Sequence, residues 1–373
     1  MSYLGENIKK LGFGLMRLPM IDKEVDIEQM KVMVDRFMEA GFTYFDTAYG
    51  YIGGKSELAI AETLVKRYPR ESFQLATKLP PWAGARTAEE ARQMFWTSLE
   101  RTGAGYFDFY LLHNLGNDRT QQFEEFDLWN FTREQKAKGL IRHLGFSFHD
   151  TAEKLDEILT RHPDMEFVQL QINYADWESS SVQSRLCYET ARRHGKPVII
   201  MEPVKGGNLA NLPEPAGSIF REANPNASLP SWALRYAASL DGIITVLSGM
   251  SNIAQMEDNI STMRDFQPLS DEERAVVGRV QEALARIARI PCTSCNYCAK
   301  GCPQNIPIPE VFRIINDLRT YNNLAGARSG YSWNTRNGNK ASLCVECGQC
   351  ELACPQHISI IEELRMAVNT LEK

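Results

Sequence analysis

Up to about residue 265 the sequence alternates eight times between a short apolar run of β type and an amphipathic helical run, and few folds accept that pattern. The apolar runs are LMRL near 15, YFDTA from 44, FQLATKL from 73, YFDFYLLH from 106, HLGFSF from 143, FVQLQIN from 167, PVIIMEPV from 197 and IITVLSG from 243. Their near-continuous apolar character is that of strands covered on both faces, as in a parallel sheet. Between them, Ile27, Met30, Val34, Phe37 and Met38 have the spacing of one helical face, and Gly41 reads as the helix C-cap. In SSSVQSRLCYETARRHG the serines are expected to cap a helix that Gly195 ends. Eight such parallel β/α units closing on themselves predict an α/β protein built on a (β/α)8 TIM barrel. The alternative is an open doubly wound sheet. Against it, no G-x-G-x-x-G follows an early strand, and LGFG at 11–14 is too short a match.

A second domain is expected to follow. Ser270 and Glu273 have the spacing of a capping box at the start of an exit helix, and after Pro291 the composition changes. The expected division is a barrel over 1–268 and a small α-helical, ferredoxin-like iron-sulfur domain over 269–373. The latter contains a helix around PEVFRIINDL and a Gly- and Asn-rich loop from about 321 to 340. The iron-sulfur reading rests on CTSCNYCAKGCP, from Cys292, and CVECGQCELACP, from Cys344, which share one spacing, C-x2-C-x2-C-x3-C-P. Three thiolates at x2 spacing wrap one corner of a 4Fe-4S cube, and in bacterial two-cluster ferredoxins the fourth ligates the other cluster. That pattern assigns Cys292, Cys295, Cys298 and Cys354 to one cluster, and Cys344, Cys347, Cys350 and Cys302 to the other. A pair of zinc knots is the rival reading. The repeat continues as PQNIPI against PQHISI, as two pseudo-symmetric halves require. The ninth cysteine, Cys187, lies on a predicted helix and reads as a buried structural thiol.

Composition narrows the partners. A net charge of −6 offers no electrostatic footprint for nucleic acid or an acidic membrane surface. The N-terminal stretch has no apolar core of a signal peptide, and the longest apolar runs, such as VIIM at 198–201, fall far short of a membrane span. With cysteines in metal-ligand rather than disulfide spacing, the expected location is cytoplasmic.

In such barrels the chemistry sits at the carboxyl ends of the strands. Strand two ends in FDTAYGYIGGKSE, with Asp46 at its tip and Tyr51 in the loop; strand three ends in Lys78 and strand four in His113. An Asp, a Tyr, a Lys and a His thus converge on one mouth. These motifs resemble the aldo-keto reductases, from about residue 8 to 265, and the tail resembles the two-cluster ferredoxin domain of one branch of that family. The resemblance implies carbonyl reduction with a nicotinamide cofactor. On that resemblance Tyr51 would donate the proton, Lys78 would lower its pKa, Asp46 would hold the lysine, and His113 would orient the carbonyl. Tyr49 competes for the proton-donor role, but the family spacing, Tyr five residues after Asp, selects Tyr51.

The same resemblance assigns the cofactor contacts, with departures. Ser147 and Gln169 fit the carboxamide-binding positions, while Phe148 replaces the usual Asn and Met201 the tyrosine that stacks on the nicotinamide. The loop beginning at Gly249 aligns through Asn259 with the adenosine-phosphate loop, yet has Gln255 where NADP-preferring relatives carry an arginine. Lys205, before Gly206 and Gly207, is a candidate pyrophosphate contact, with a plain surface turn as its alternative. The expected cofactors are two 4Fe-4S clusters with NADP or NAD, and flavin as the second choice. The expected partners are a small carbonyl or alcohol substrate and a ferredoxin- or flavodoxin-like electron carrier. Structural clusters, or a noncatalytic electron-transfer or sensor protein, are the alternative readings. The loop residues Tyr174, Trp177 and His149 do not identify a substrate.

Overall fold

The computed structural model describes residues 3–116 and 119–373, so Asn117 and Asp118 of the HNLGND stretch lie outside the described residues. The strands are β1 Leu11–Gly14, β2 Tyr44–Asp46, β3 Gln74–Leu79, β4 Phe107–Leu115, β5 Ile141–Phe148, β6 Phe167–Gln171, β7 Val198–Met201 and β8 Ile243–Gly249. All pair in parallel with their sequence neighbours, and β1 also pairs with β8, closing the barrel. The first strand is therefore LGFG, not the LMRL expected from the apolar signal. Leu15 and Leu18 are buried, but in the loop after β1, where Leu15 N donates to Asp46 O at 2.8 Å ahead of a small hairpin, Met20–Ile21 with Glu24–Val25.

Helices follow the strands: α1 Ile27–Glu39, α2 Lys55–Ile60, α3 Ala88–Thr102, α4 Leu128–Ala137, α5 Ala152–Arg161, α6 Ser184–Arg193, α7 Leu229–Ala238 and α8 Ile253–Met263, with a further short helix, Arg119–Glu125, ahead of α4 and another, Ala216–Ala223, ahead of α7. Helix α1 buries Met30, Met33, Val34 and Phe37, is capped by Asp26, whose carboxylate accepts Gln29 N at 3.0 Å, and is followed by Gly41 at φ +80°. The serines before α6 do not cap it. Gln183 holds the cap position at φ +54°, and Ser179 Oγ accepts Val182 N inside the preceding turn. Helix α9, Asp271–Ala285, opens with the reciprocal box: Ser270 Oγ accepts Glu273 N and Glu273 Oε2 accepts Ser270 N.

The two-residue period of the strands sorts their side chains between an outer and an inner face. Phe45, Leu75, Tyr110, Val168 and Ile200 face the helices, while Tyr44, Ala76, Phe109, Leu111, Phe167 and Ile199 fill the lumen. Ring centroids of Tyr44 and Phe109 lie 5.0 Å apart, and those of Phe109 and Phe167 5.2 Å. Two residues along, the same inward alternation reaches Asp46 and Lys78 on β2 and β3, and His113 on β4, so the candidate site is the top layer of this core. Strand β4 runs on past His113 with a break in register between Leu112 and Leu115.

The chain divides into two compact units, Met1–Lys205 with Pro230–Arg274, and Gly206–Leu229 with Ala275–Lys373. Residues 206–229, which the expected division counts with the barrel, cluster with the second unit, where Asn323 Nδ2 donates to Asn208 Oδ1 at 2.7 Å. In that unit the cysteine repeat is also a repeat of structure, at a constant offset of 52 residues. The short helix Tyr297–Lys300 matches Gln349–Leu352, and α10, Ile308–Tyr321, begins where α12, Ile360–Leu371, does. Between them the expected loop at 321–340 is largely a helix, α11 Leu324–Asn334, capped by Asn323, whose side chain accepts Gly326 N at 2.9 Å. Its glycines and asparagines disfavour a helix individually, and burial of Ala327 and Tyr331 in the unit's core outweighs them. Among the described residues, no helix is long and apolar enough to cross a membrane.

Gly145 on β5 sits against Phe167, and a Cβ there would lie 2.4 Å from the Phe167 carbonyl oxygen and 2.8 Å from its ring. Gly145→Ala is expected to destabilise the barrel by about 1–3 kcal/mol through overpacking, read as a lower urea midpoint with unchanged slope.

Candidate active site

A buried ion pair is the centre of the mouth. Lys78 Nζ lies 2.5 Å from Asp46 Oδ1, with the two side chains 1% and 3% exposed, and also donates to Thr47 O at 2.7 Å. Burial disfavours the Lys78 ammonium, but Asp46 and Tyr51 outweigh it and hold its pKa above the usual lysine value. Burial also raises the Asp46 carboxyl against the pull of Lys78. The ammonium stands 4.8 Å from the Tyr51 ring centroid, and that ring meets the imidazole of His113 edge-on at 5.9 Å. The four predicted residues are thus brought together.

Their protonation follows from burial. The Tyr51 phenol is pushed above its ordinary value by desolvation, although Lys78 pulls it down by charge and hydrogen bonding. The lysine acts in the expected direction, but burial is the larger effect and leaves the phenol above its ordinary value. His113 is driven well below the usual imidazole range by burial and then by the Lys78 charge, so it is neutral, and its buried Nδ1 has no hydrogen-bond partner. Trp82, absent from the sequence expectations, packs its ring 5.3 Å from His113 and donates Nε1 to the His113 carbonyl at 2.8 Å. Its place in PPWAGA, directly after β3, is the signal that marks it as a mouth residue. The arrangement offers a protonated phenol next to a fixed cation and a neutral imidazole, which suits donation of a proton to an oxygen.

Of the predicted cofactor residues, Ser147, Gln169, Met201 and Gly249 lie in the carboxyl-terminal parts of β5 to β8, Lys205 follows β7, and Gln255 and Asn259 lie on α8. Ser147 and Gln169 are buried register partners; Ser147 Oγ accepts Asn114 N at 2.7 Å, while Gln169 Oε1 is buried without a hydrogen-bond partner. A carboxamide amine is a fitting donor for that oxygen. Met201 ends β7, half-buried. Lys205 is not free for a phosphate: it pairs with buried Asp176 at 2.7 Å, whose other oxygen accepts Gln171 and Asn173 side chains. Gly249 ends β8, Gln255 Oε1 accepts Ser251 N at 2.8 Å, and buried Asn259 donates Nδ2 to Ser248 Oγ at 2.9 Å. The loop after β8 is thus braced by Gln255 and Asn259.

In the second unit the cysteines surround two cavities. Cys302, Cys344, Cys347 and Cys350 line one, among Ile306, Ile308 and Leu364. Cys292, Cys295, Cys298 and Cys354 line the other, among Phe312, Ile358 and Ile360. Each cavity takes its fourth cysteine from the opposite run. Left-handed residues recur at the repeat offset, Ser294 with Glu346, Asn296 with Gly348, and Asn305 with His357, so both ligand loops turn alike. Among the described residues no three His, Cys, Asp or Glu side chains converge closely enough for a single metal ion. Four thiols spaced around an apolar cavity suit a cluster rather than one zinc. Cys187 is buried, its thiol pushed up to about 12 by desolvation, which makes it inert.

Comparison with known proteins agrees with this geometry. The aldo/keto reductase family model matches residues 10–282, and the 4Fe-4S dicluster domain model matches 291–359. The NADH-specific methylglyoxal reductase of Escherichia coli is 24% identical over 309 residues, 69% of this chain and 89% of the relative. An aldo-keto reductase of Mycolicibacterium vanbaalenii is 28% identical over 248 residues, 65% of this chain and 80% of the relative. The structure of a Klebsiella pneumoniae aldo-keto reductase in complex with NADPH superposes with a TM-score of 0.58 at 22% identity, covering 74% of this chain and 91% of that one. With most of its length matched and the barrel closed as described, the chain belongs to the aldo/keto reductase family of oxidoreductases and carries a C-terminal 4Fe-4S dicluster domain.

Proposed function

We propose that the barrel interconverts a small carbonyl compound and its alcohol by hydride transfer at the mouth, and that two 4Fe-4S clusters relay electrons between the protein and an external carrier. The observation that carries the first half is the buried Asp46–Lys78 pair set beneath Tyr51 and His113. When bound, a nicotinamide supplies or takes the hydride and the clusters supply one-electron steps. The protein's own task in reduction is to deliver a proton to the carbonyl oxygen as its carbon accepts hydride. Tyr51 holds that proton, since its raised pKa keeps it protonated across neutral pH. Lys78 stabilises the phenolate left behind, Asp46 keeps the lysine charged and in place, and neutral His113 orients the oxygen.

Ser147 and Gln169 would hold the carboxamide, with the free Gln169 Oε1 as acceptor. The braced loop at Gly249, Gln255 and Asn259 would bound the adenosine end, with Gln255 where NADP-preferring relatives carry an arginine. With Lys205 committed to Asp176, and Met201 where a stacking ring is expected, flavin stays as the second cofactor reading. For the clusters, Cys292, Cys295, Cys298 and Cys354 would hold one, and Cys302, Cys344, Cys347 and Cys350 the other. We place this chemistry in the cytoplasm.

Three experiments test these roles. Tyr51→Phe is expected to lower kcat for NADPH- or NADH-dependent reduction of methylglyoxal by about 10²–10⁴-fold, with nucleotide affinity by nicotinamide fluorescence kept; unchanged turnover would remove Tyr51 from the chemistry. For ligation, the double variant Cys302→Ser/Cys350→Ser takes two ligands from one cavity, so anaerobically reconstituted protein is expected to keep half its iron. The double variant Cys298→Ser/Cys302→Ser should lose both clusters, and the reverse ranking would mean that each run ligates its own. Anaerobic addition of NADPH without substrate is expected to bleach the cluster absorbance; flavin in the supernatant of denatured protein would favour the second cofactor.

A further inference from the structure

Behind the mouth a buried carboxylate meets a half-buried guanidinium. Glu57, at the start of α2, has a fully buried side chain; its Oε1 accepts Thr77 Oγ1 at 2.8 Å and its Oε2 meets Arg101 at 3.2 Å. Arg101, in the last turn of α3, also donates to the Tyr49 carbonyl at 3.0 Å and places its guanidinium 4.5 Å from the Tyr49 ring centroid. Thr77 precedes Lys78 on β3, and Tyr49 stands two residues before Tyr51. One carboxylate therefore ties the strand that carries the lysine to the turn that carries the tyrosine.

That turn needs holding at one residue. Ile52, Gly53 and Gly54 follow Tyr51 at φ +52°, +63° and +90°; the glycines take this region freely, but β-branched Ile52, next to Tyr51, keeps it only when its surroundings impose it. Arg101 lies directly against it: a Cβ on Gly54 would come within 2.8 Å of the guanidinium. The adjoining Ser56, also buried, bonds Thr47 Oγ1 at 2.7 Å and donates to Leu15 O at 2.8 Å, which fixes the other side of the turn to the residue after Asp46.

We propose that the pair of buried Glu57 and half-buried Arg101 is the positioning device that sets Tyr51 over Lys78, acting on proton delivery without touching substrate or cofactor. The inference rests on the assignment of Tyr51 as proton donor for its catalytic meaning, but its structural content is separable. A charge pair that only stabilised the fold could sit anywhere in the core; this one ends on the carbonyl of Tyr49 and on the flank of Gly54, the two ends of the Tyr51 turn.

The test reads Tyr51 itself. In full-length protein labelled with 13Cζ-tyrosine, the Tyr51 resonance is assigned by its loss in Tyr51→Phe and titrated with alkali. Arg101→Met is expected to lower its midpoint toward the ordinary phenol value of about 10, because a released turn lets water reach a phenol that burial now holds higher. Arg101→Lys, which keeps a cation able to reach Glu57 or Tyr49 O but not both, should fall between and covers the case in which the Met variant does not fold. In methylglyoxal reduction, kcat should fall by about 10- to 100-fold with the KM for nucleotide within twofold and a larger solvent deuterium isotope effect. A Tyr51 resonance and midpoint unchanged in a folded Arg101 variant would overturn the proposal whatever the turnover. A wild-type protein with no turnover, but with the expected Tyr51 shift in the variants, would count against the carbonyl-reductase reading and leave the positioning role supported.

Discussion

An ammonium ion can be kept inside a barrel only if a counter-charge sits within hydrogen-bond reach, and the Lys78–Asp46 contact meets that condition. Much of the mouth depends on it. The pair spans neighbouring strands, so its geometry is inherited from the parallel register of β2 and β3. The charge it preserves is what Tyr51 leans over, and the same charge helps keep His113 neutral. Remove the lysine's partner and the interior would favour the neutral amine, with nothing left to stabilise a phenolate. The site is thus an outgrowth of the core: Tyr44, Ala76 and Phe109 fill the lumen, and the next inward positions carry the charges.

The second unit solves a different problem with a duplicated loop. Small helical units have little apolar surface to bury, and here the cysteines are part of the core: Cys298, Cys350 and Cys354 are buried with Phe312, Ile315 and Ile360. Matching left-handed residues at Asn296 and Gly348 show that different side chains reach one backbone shape, Gly for its freedom and Asn for its tolerance of that region.

Much of this was legible in the sequence because it depends on position along strands. Asp46, Lys78 and His113 stand at the ends of apolar runs, and period two then fixes the face they occupy. The cysteine spacing likewise carried its own geometry. What escaped was set by tertiary packing. LGFG looks like a turn and LMRL like a strand, yet closure against β8 selects the glycine-rich stretch, where Gly14 lies close to the backbone of Ser248. The 321–340 segment has turn-like composition, and only the cover of neighbouring helices makes it helical. Glu57 and Arg101 are 44 residues apart and read as ordinary surface-helix charges; nothing local tells that they meet behind the mouth. Lys205, likewise, reads as a phosphate contact until Asp176 is found beside it.

The exchange of cysteines between the two runs has a consequence in time rather than in space. A chain grows from its N-terminus, and the first run supplies three thiols to a cavity whose fourth wall is Cys354, while Cys302 waits for a cavity whose other walls begin at Cys344. Neither cavity is complete until the second run has been made. Both cavities are thus closed only by residues of the second run, the one at Cys350 and the other at Cys354.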